Sequence, residues 1–389
     1  MASSGRAQNQ EASAAKNVAI IFGVTGLVGR EIARKLISTT NPKWKVYGVA
    51  REPDRVPLQS PNYHFIPCDL LNPLEARTKL SLIPDPTHLF WVTWAAQHPL
   101  DSQQCCDQNR AMMFNALDPL LHCSAGTLKH VSLQTGLKHY VSLREIANSK
   151  RIVGQRYDEG CPRVEEGFNF YYALEDLLKE RLQGGRVAWS VLRPGLVTGN
   201  SSRSMYNLIG SLCVYGTICR RLNLPFVFGG TRDCWEEEYM DGSDAGLVAE
   251  HHIWAATEER VRSTDGQALN SVNGPGFAWR EIWPVIGEKM GLAVPEEALA
   301  AEGFRFAAAM EGMEEIWGGI VAEEGLVETE IGDLANWEFL DVLFRFPIKL
   351  LGSREKSDRL GFTARREMAE SVSFWIDAMR EDMLIPREN

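Results

Sequence analysis

From residue 17 onward, short apolar runs alternate with helically patterned stretches. Residues 17–22, 45–50, 63–67, 87–93 and 129–133 are runs rich in β-branched and aromatic side chains, each bounded by polar or turn-forming segments, and they read as strands. Between the first two, residues 27–38 place Val28, Ile32, Leu36 and Ile37 at helical spacing. A longer helical stretch at 104–122 precedes the fifth strand. A helix beginning near Tyr171 precedes a sixth, at 186–192. Strand and helix in this alternation predict an α/β architecture, a doubly wound parallel Rossmann sheet over 17–200. Beyond residue 200 the alternation degrades. Residues 204–220 and 243–256 pattern as helices, 225–228 as a short strand, and four tryptophans fall between Trp254 and Trp317. A smaller, mainly helical C-terminal lobe on the substrate side is expected over 201–389, with some strands able to return to the sheet. The acid-rich stretch 311–330 reads as a solvated helical face.

Composition narrows the partners. With 44% hydrophobic and 24% charged residues in 389, the chain has material for a large core. Its net charge of −10 argues against nucleic acid and anionic membrane surfaces. No apolar run approaches the roughly 18–20 residues that span a bilayer. Residues 1–16 are small and polar without an apolar segment, and are expected to be a disordered leader, with a cytoplasmic location for the protein. The eight cysteines show neither Cys-x-x-Cys nor Cys/His ligand spacing, so reduced thiols and no metal site are expected. A small-molecule substrate and a monomer or homodimer complete the expectation.

Gly23-Val24-Thr25-Gly26-Leu27-Val28-Gly29 follows the first strand directly and opens the first helix. In that context the glycines make a dinucleotide-binding turn. Gly23 permits a tight turn, Gly26 lets backbone amides approach a pyrophosphate, and Gly29 allows close packing of helix on strand. The helix N-terminus at Leu27 and Val28 favours the phosphate charge. The Gly-x-x-Gly-x-x-Gly spacing resembles short-chain dehydrogenases/reductases of the extended type. The second strand ends at Arg51, where an NAD enzyme usually places an acid, and a guanidinium there favours the 2′-phosphate of NADPH. Glu52 and Arg55 are rivals for that reading. Asp69, with Leu70 at the end of the third strand, is a candidate adenine contact or a helix cap. Thr93 and Trp94 end the fourth strand beside the expected nicotinamide. Past the sixth, Pro194, Gly195, Leu196 and Val197 offer backbone groups for its carboxamide.

Short-chain reductases commonly carry Tyr-x-x-x-Lys on one helix, the lysine lowering the tyrosine pKa. Four residues after Tyr171 stands Glu175, and after Tyr172, Asp176. Carboxylates alone would raise a phenol pKa, so the cation must come from elsewhere. Lys138 is the candidate, because it follows the fifth strand at the crevice end of the sheet. Adjacent tyrosines on a helix point about 100° apart, so only one of Tyr171 and Tyr172 can face the cofactor; Tyr140 is a third contender.

Gln134-Thr135-Gly136-Leu137-Lys138-His139-Tyr140, Asn169-Phe170-Tyr171-Tyr172 with Glu175-Asp176, and Phe90-Trp91-Val92-Thr93-Trp94 together resemble the progesterone 5β-reductase/iridoid synthase-like family of plant enone reductases. So do Trp189-Ser190 with Arg193-Pro194, the 207–215 stretch and Ala249-Glu250-His251 with Trp254-Ala255, and the likeness runs over 17–386. The resemblance implies Lys138 and Tyr172 as the functional pair, Thr135 and Gly136 at the cofactor, and Trp94, Met205 and Phe339 at the substrate pocket. It implies NADPH-dependent 1,4-reduction of an enone or enal. The alternatives are reductive cyclisation of a dialdehyde, or a non-catalytic NADP(H) sensor. After Tyr140 the family has Leu/Met-Gly-Pro-Phe, whereas this chain has Val141-Ser142-Leu143-Arg144, which would replace an aromatic pocket wall by the Arg144 cation.

Overall fold

Seven parallel strands form the central sheet, six of them close to where the apolar runs predict them: β1 (Asn17–Phe22), β2 (Trp44–Ala50), β3 (Tyr63–Pro67), β4 (His88–Trp91), β5 (His130–Gln134) and β6 (Ala188–Pro194). The computed structural model describes residues 17–123, 126–142, 156–346 and 348–387. A small parallel pair, β7 (Leu196–Thr198) and β8 (Gly242–Asp244), lies apart, and β9 (Gln267–Ser271) returns to the main sheet beside β6. The order β3-β2-β1-β4-β5-β6-β9 reverses direction between β1 and β4, which opens a crevice at the carboxyl ends of those strands.

Alternation along β1 assigns the two faces. Ile20 and Phe22 join a core made with α2 (Pro73–Leu80), α3 (Gln103–Cys123) and α4 (Phe170–Leu182). Ala19 and Ile21 join the other, made with α1 (Leu27–Ser38), α5 (Leu208–Leu222) and α7 (Ala245–Thr257), α6 being the short Arg232–Glu236 turn. The C-terminal helix Met368–Glu381 enters this second core: its Ser371 hydroxyl and Trp375 indole both donate to Asp244 Oδ2, at 2.5 and 2.8 Å.

Three elements depart from the apolar pattern. The helix expected over 204–220 starts only at Leu208, because Asn207 caps it and accepts from the Gly210 amide at 2.9 Å. Met205 and Tyr206 therefore stand in the preceding loop. The helix expected from 243 likewise begins behind a cap, Asp244, with β8 in front of it. The strand expected at 225–228 is reduced to one bridge between Phe228 and Leu299, since Phe226 and Phe228 pack as core against Trp283.

Candidate active site

The glycine turn is built by sterics. Gly23 has φ +87°, and a Cβ there would lie 2.7 Å from Thr93 Cβ and 2.8 Å from the Val92 carbonyl. A Cβ on Gly29 would come within 2.1 Å of the Gly23 carbonyl oxygen. Gly26 is different: its nearest neighbours would be 3.4 Å away or more, so one side of the turn is open. No side chain caps Gly26, the N-cap of α1, and the Leu27 and Val28 side chains behind it are buried in the core. The Thr25 carbonyl accepts the Ser201 hydroxyl at 2.8 Å, which ties the turn to the C-terminal half.

At the end of β2, Arg51 is exposed and has no ion pair among the described residues. Its rivals are engaged. Glu52 pairs with Arg203 at 2.8 Å, and Arg55 pairs with Asp333 at 2.6 Å while donating to the Glu328 carbonyl. Asp69 accepts from the Leu71 amide at 3.0 Å, and the cap of α2 is Asn72, not Asp69. The Leu70 carbonyl accepts from Asn115. Of the carboxamide candidates, the Gly195 amide donates to Ser243 Oγ at 2.8 Å and that of Leu196 to the Asp241 carbonyl at 2.8 Å. Val197 is half-buried next to them, in β7.

At the carboxyl end of β5 the chain turns through Thr135 and Gly136 into one short helical turn, Leu137–Tyr140. A Cβ on Gly136 would lie 3.0 Å from the Tyr171 hydroxyl and 3.3 Å from the Pro194 carbonyl, so this glycine makes room for a phenol. The Lys138 ammonium sits 5.0 Å from the Tyr171 ring centre and 5.2 Å from that of Phe170, largely buried and without a hydrogen-bond partner among the described residues. Burial pushes it down to about 8, against the opposing pull of Cys105, Cys106 and Asp101. Thr135 Oγ1 is buried and likewise unpartnered. Burial, together with Tyr206 and Cys105, raises the Tyr171 phenol.

The expected partner, Tyr172, is not brought to Lys138. Its hydroxyl donates to the His139 carbonyl at 2.5 Å and accepts the Val164 amide at 3.0 Å, while Arg163 lies 4.8 Å over its ring. The reason is the helical step: with Tyr171 turned into the crevice, Tyr172 points about 100° away. Tyr140 is engaged as well, donating to Asn270 at 2.7 Å and stacked on Tyr157. His139 is buried with Nδ1 3.3 Å from Glu175, a structural pairing.

An aromatic row leads outward from this point. Trp94 stacks on Phe170 at 5.6 Å and on Tyr206 at 5.7 Å, and Tyr206 rests on Phe339 at 5.0 Å. Met205, next to Tyr206 in the chain, is 51% exposed. Trp94 and Phe339 are thus joined through a residue that the sequence pattern did not single out. Its signal was Asn207, whose capping role places Tyr206 ahead of the helix rather than on it. Arg144 lies outside the described residues.

The sequence profile of the PRISE-like Rossmann-fold domain matches residues 71–337. The chain is 38% identical over 373 residues to an (S)-8-oxocitronellyl enol synthase of Catharanthus roseus, covering 95% of this chain and 93% of that one. It belongs to the PRISE-like Rossmann family. Another relative, at 34% identity over 97% of this chain and 96% of its own, is a 3-oxo-Δ4,5-steroid 5β-reductase of Arabidopsis thaliana. Among solved structures, the PRISE-like fold is similar to a Thermus thermophilus UDP-glucose 4-epimerase bound to NAD, with TM-score 0.61 and 17% identity over 93% of this chain and 99% of that one. That likeness concerns the fold alone. No helix of this PRISE-like chain is long and apolar enough, among the described residues, to cross a membrane.

Proposed function

We propose that this protein is an NADPH-dependent reductase that saturates the activated C=C bond of an enone or enal. The observation that carries the reading is the meeting of Lys138 with Tyr171 at the carboxyl end of the sheet, where the ammonium is buried and without a hydrogen-bond partner among the described residues. The residues present fit a dinucleotide. The open side of Gly26 and the amides of α1 would hold the pyrophosphate, Arg51 the 2′-phosphate and Asp69 the adenine edge. The unpartnered Thr135 and Lys138 would meet the nicotinamide ribose, beside Thr93 and Val197. Bound NADPH would supply a hydride to the β-carbon of the substrate.

The chain's own task is the oxyanion. As negative charge gathers on the substrate carbonyl oxygen, the Tyr171 hydroxyl donates a hydrogen bond to it, and the Lys138 ammonium favours the charge through the phenol. Removal from water strengthens both effects. The α-carbon then takes a proton from solvent, so no dedicated acid is demanded. The relatives' names support this reading: one reduces a 3-oxo-Δ4,5-steroid, which is an enone, and the other makes an enol. The enol synthases also support a second reading, reduction followed by cyclisation of a dialdehyde, which the product formed from 8-oxogeranial would separate.

The test is NADPH consumption with 2-cyclohexenone, methyl vinyl ketone, 8-oxogeranial and progesterone. Tyr171→Phe is expected to lower kcat by about 10²–10³-fold with NADPH binding retained. No oxidation with any of these substrates would overturn the reductase reading. A Tyr171→Phe variant of full activity would remove Tyr171 from the chemistry.

A further inference from the structure

Where a Tyr-x-x-x-Lys helix would carry its lysine, four residues after Tyr171, this chain carries Glu175. The carboxylate is buried: Oε1 lies 3.3 Å from His139 Nδ1 and 3.3 Å from Arg193, and Oε2 lies 3.0 Å from Arg163. Burial opposes its charge, but His139, Arg193 and Arg163 overcome that and hold it down at about 2. A buried ionic cluster is an expensive way to stabilise a fold and calls for a reason specific to its place.

That place is the back of the Leu137–Tyr140 turn. Three contacts run to the turn from α4 and its N-cap. The Asn169 side-chain amide donates to the Lys138 carbonyl at 3.2 Å. The Tyr172 hydroxyl donates to the His139 carbonyl at 2.5 Å. Glu175 takes the His139 ring. Tyr172 and Glu175, three positions apart, are neighbours on α4, and Asn169 stands at its N-cap, while the Tyr171 ring, about 100° from that of Tyr172, lies against Lys138. Arg163 latches the outside of the clamp, lying over the Tyr172 ring and pairing with Glu175 and with Asp176 at 2.7 Å. Lys138 itself has no partner at its ammonium among the described residues. The position of that ammonium is therefore governed by where its backbone is held.

We propose that Tyr172 and Glu175 are positioning residues, which hold the Leu137–Tyr140 turn from behind and thereby keep the Lys138 ammonium against Tyr171. The inference rests on the reductase reading of the site. It gives the second tyrosine and the acidic residue a task that neither performs on the substrate. A lysine freed from its turn moves by an ångström or more, and misplacement on that scale costs on the order of 10²-fold in rate.

The test is a double-mutant cycle of Tyr172→Phe and Lys138→Met, read as kcat and as NADPH affinity, together with titration of Lys138 in the cofactor-free protein by NMR of labelled lysine. Tyr172→Phe is expected to lower kcat by about 10- to 100-fold in the wild-type background, and by less than about twofold once Lys138 is Met. In the cofactor-free protein the same variant should move Lys138 from about 8 upward, toward the ordinary lysine value of about 10.4. Equal losses in both backgrounds, or an unmoved Lys138 titration, would overturn the proposal. Glu175→Gln keeps the size of the side chain and is run through the same cycle, so a Tyr172→Phe chain that does not fold leaves the question answerable. A wild type that consumes no NADPH with any enone defeats the reductase reading, whereas the lysine titration still decides the clamp.

Discussion

At the scale of single residues, function here depends on which charges are already engaged. Arg51, Glu52 and Arg55 stand within five positions of one another, and their types alone do not say which of them meets a phosphate. Pairing of Glu52 with Arg203 and of Arg55 with Asp333 removes two of the three and leaves Arg51 exposed at the end of β2. Loss of a hydrogen bond to a charged group costs about 1.5–3 kcal/mol, so Arg51→Ala should raise the KM for NADPH by about 10- to 100-fold. The KM for NADH should hardly change, because no 2′-phosphate is there to lose a partner. Steady-state kinetics with both cofactors checks this, and equal effects would remove Arg51 from cofactor choice. The tyrosines teach the same lesson. Tyr171 and Tyr172 have the same chemistry, and only the packing of α4 on the Leu137–Tyr140 turn decides which ring lies against Lys138.

At the scale of the element, the β1-turn-α1 unit separates steric from chemical need. Gly29 is required by the fold: an added methyl would meet the Gly23 carbonyl at 2.1 Å, and both lie on main chain that cannot move aside. Gly26 is not required by the fold: its backbone is extended, and a methyl would meet nothing of the protein closer than 3.4 Å, which leaves the proposed cofactor as the reason for it. Gly29→Ala should therefore destabilise the protein by about 1–3 kcal/mol. Gly26→Ala should melt at the wild-type temperature and bind NADPH much more weakly, because its methyl would stand where the proposed cofactor's pyrophosphate approaches. Thermal melts beside fluorescence titration of NADPH compare the two, and matching melting losses in both variants would contradict the distinction. This unit was fully legible in the sequence, since strand, turn and helix are contiguous. The Tyr206 loop was less so: an apolar pattern continues through 204–207 although the Asn207 cap begins the helix at Leu208.

At the scale of the molecule, two cores enclose the sheet, and a polar thread runs between its strands. His130 Nε2 lies 3.0 Å from Ser190 Oγ, Ser190 lies 3.2 Å from Ser132 Oγ, and Ser132 lies 2.7 Å from His252 Nδ1. His88 is buried nearby against Trp44. Burial pushes His88, His130 and His252 down to about 3 each, with Lys129 and Arg262 adding to it at His88. In the unfolded chain these rings titrate near 6.5. Below about 6.5 the unfolded state takes up protons that the fold refuses, so the stabilisation is whole above that pH and is lost as pH falls toward 3. Each histidine contributes a slope of up to about 1.4 kcal/mol per pH unit in that window. Urea denaturation at pH 7.5 and 5.0 should show a clearly lower midpoint at the acid value. A flat profile would mean that these rings are already charged in the folded protein.

The amino-acid sequence alone determined the alternation of strands and helices, the glycine turn, the arginine after β2 and the lysine after β5. Each of these is written in a few contiguous residues, where side-chain period and backbone sterics act without help from distant parts of the chain. Only the tertiary structure decided that β9 closes the sheet beside β6, that Tyr206 completes the aromatic row, and that Lys138 meets Tyr171 while Tyr172 holds the turn behind it. These depend on contacts between residues far apart in the chain, such as Arg193 and Arg163 on Glu175 or Trp94 against Tyr206. The orientation of one phenol relative to its neighbour is a difference of about 100° on one helix, and what the helix packs against sets it.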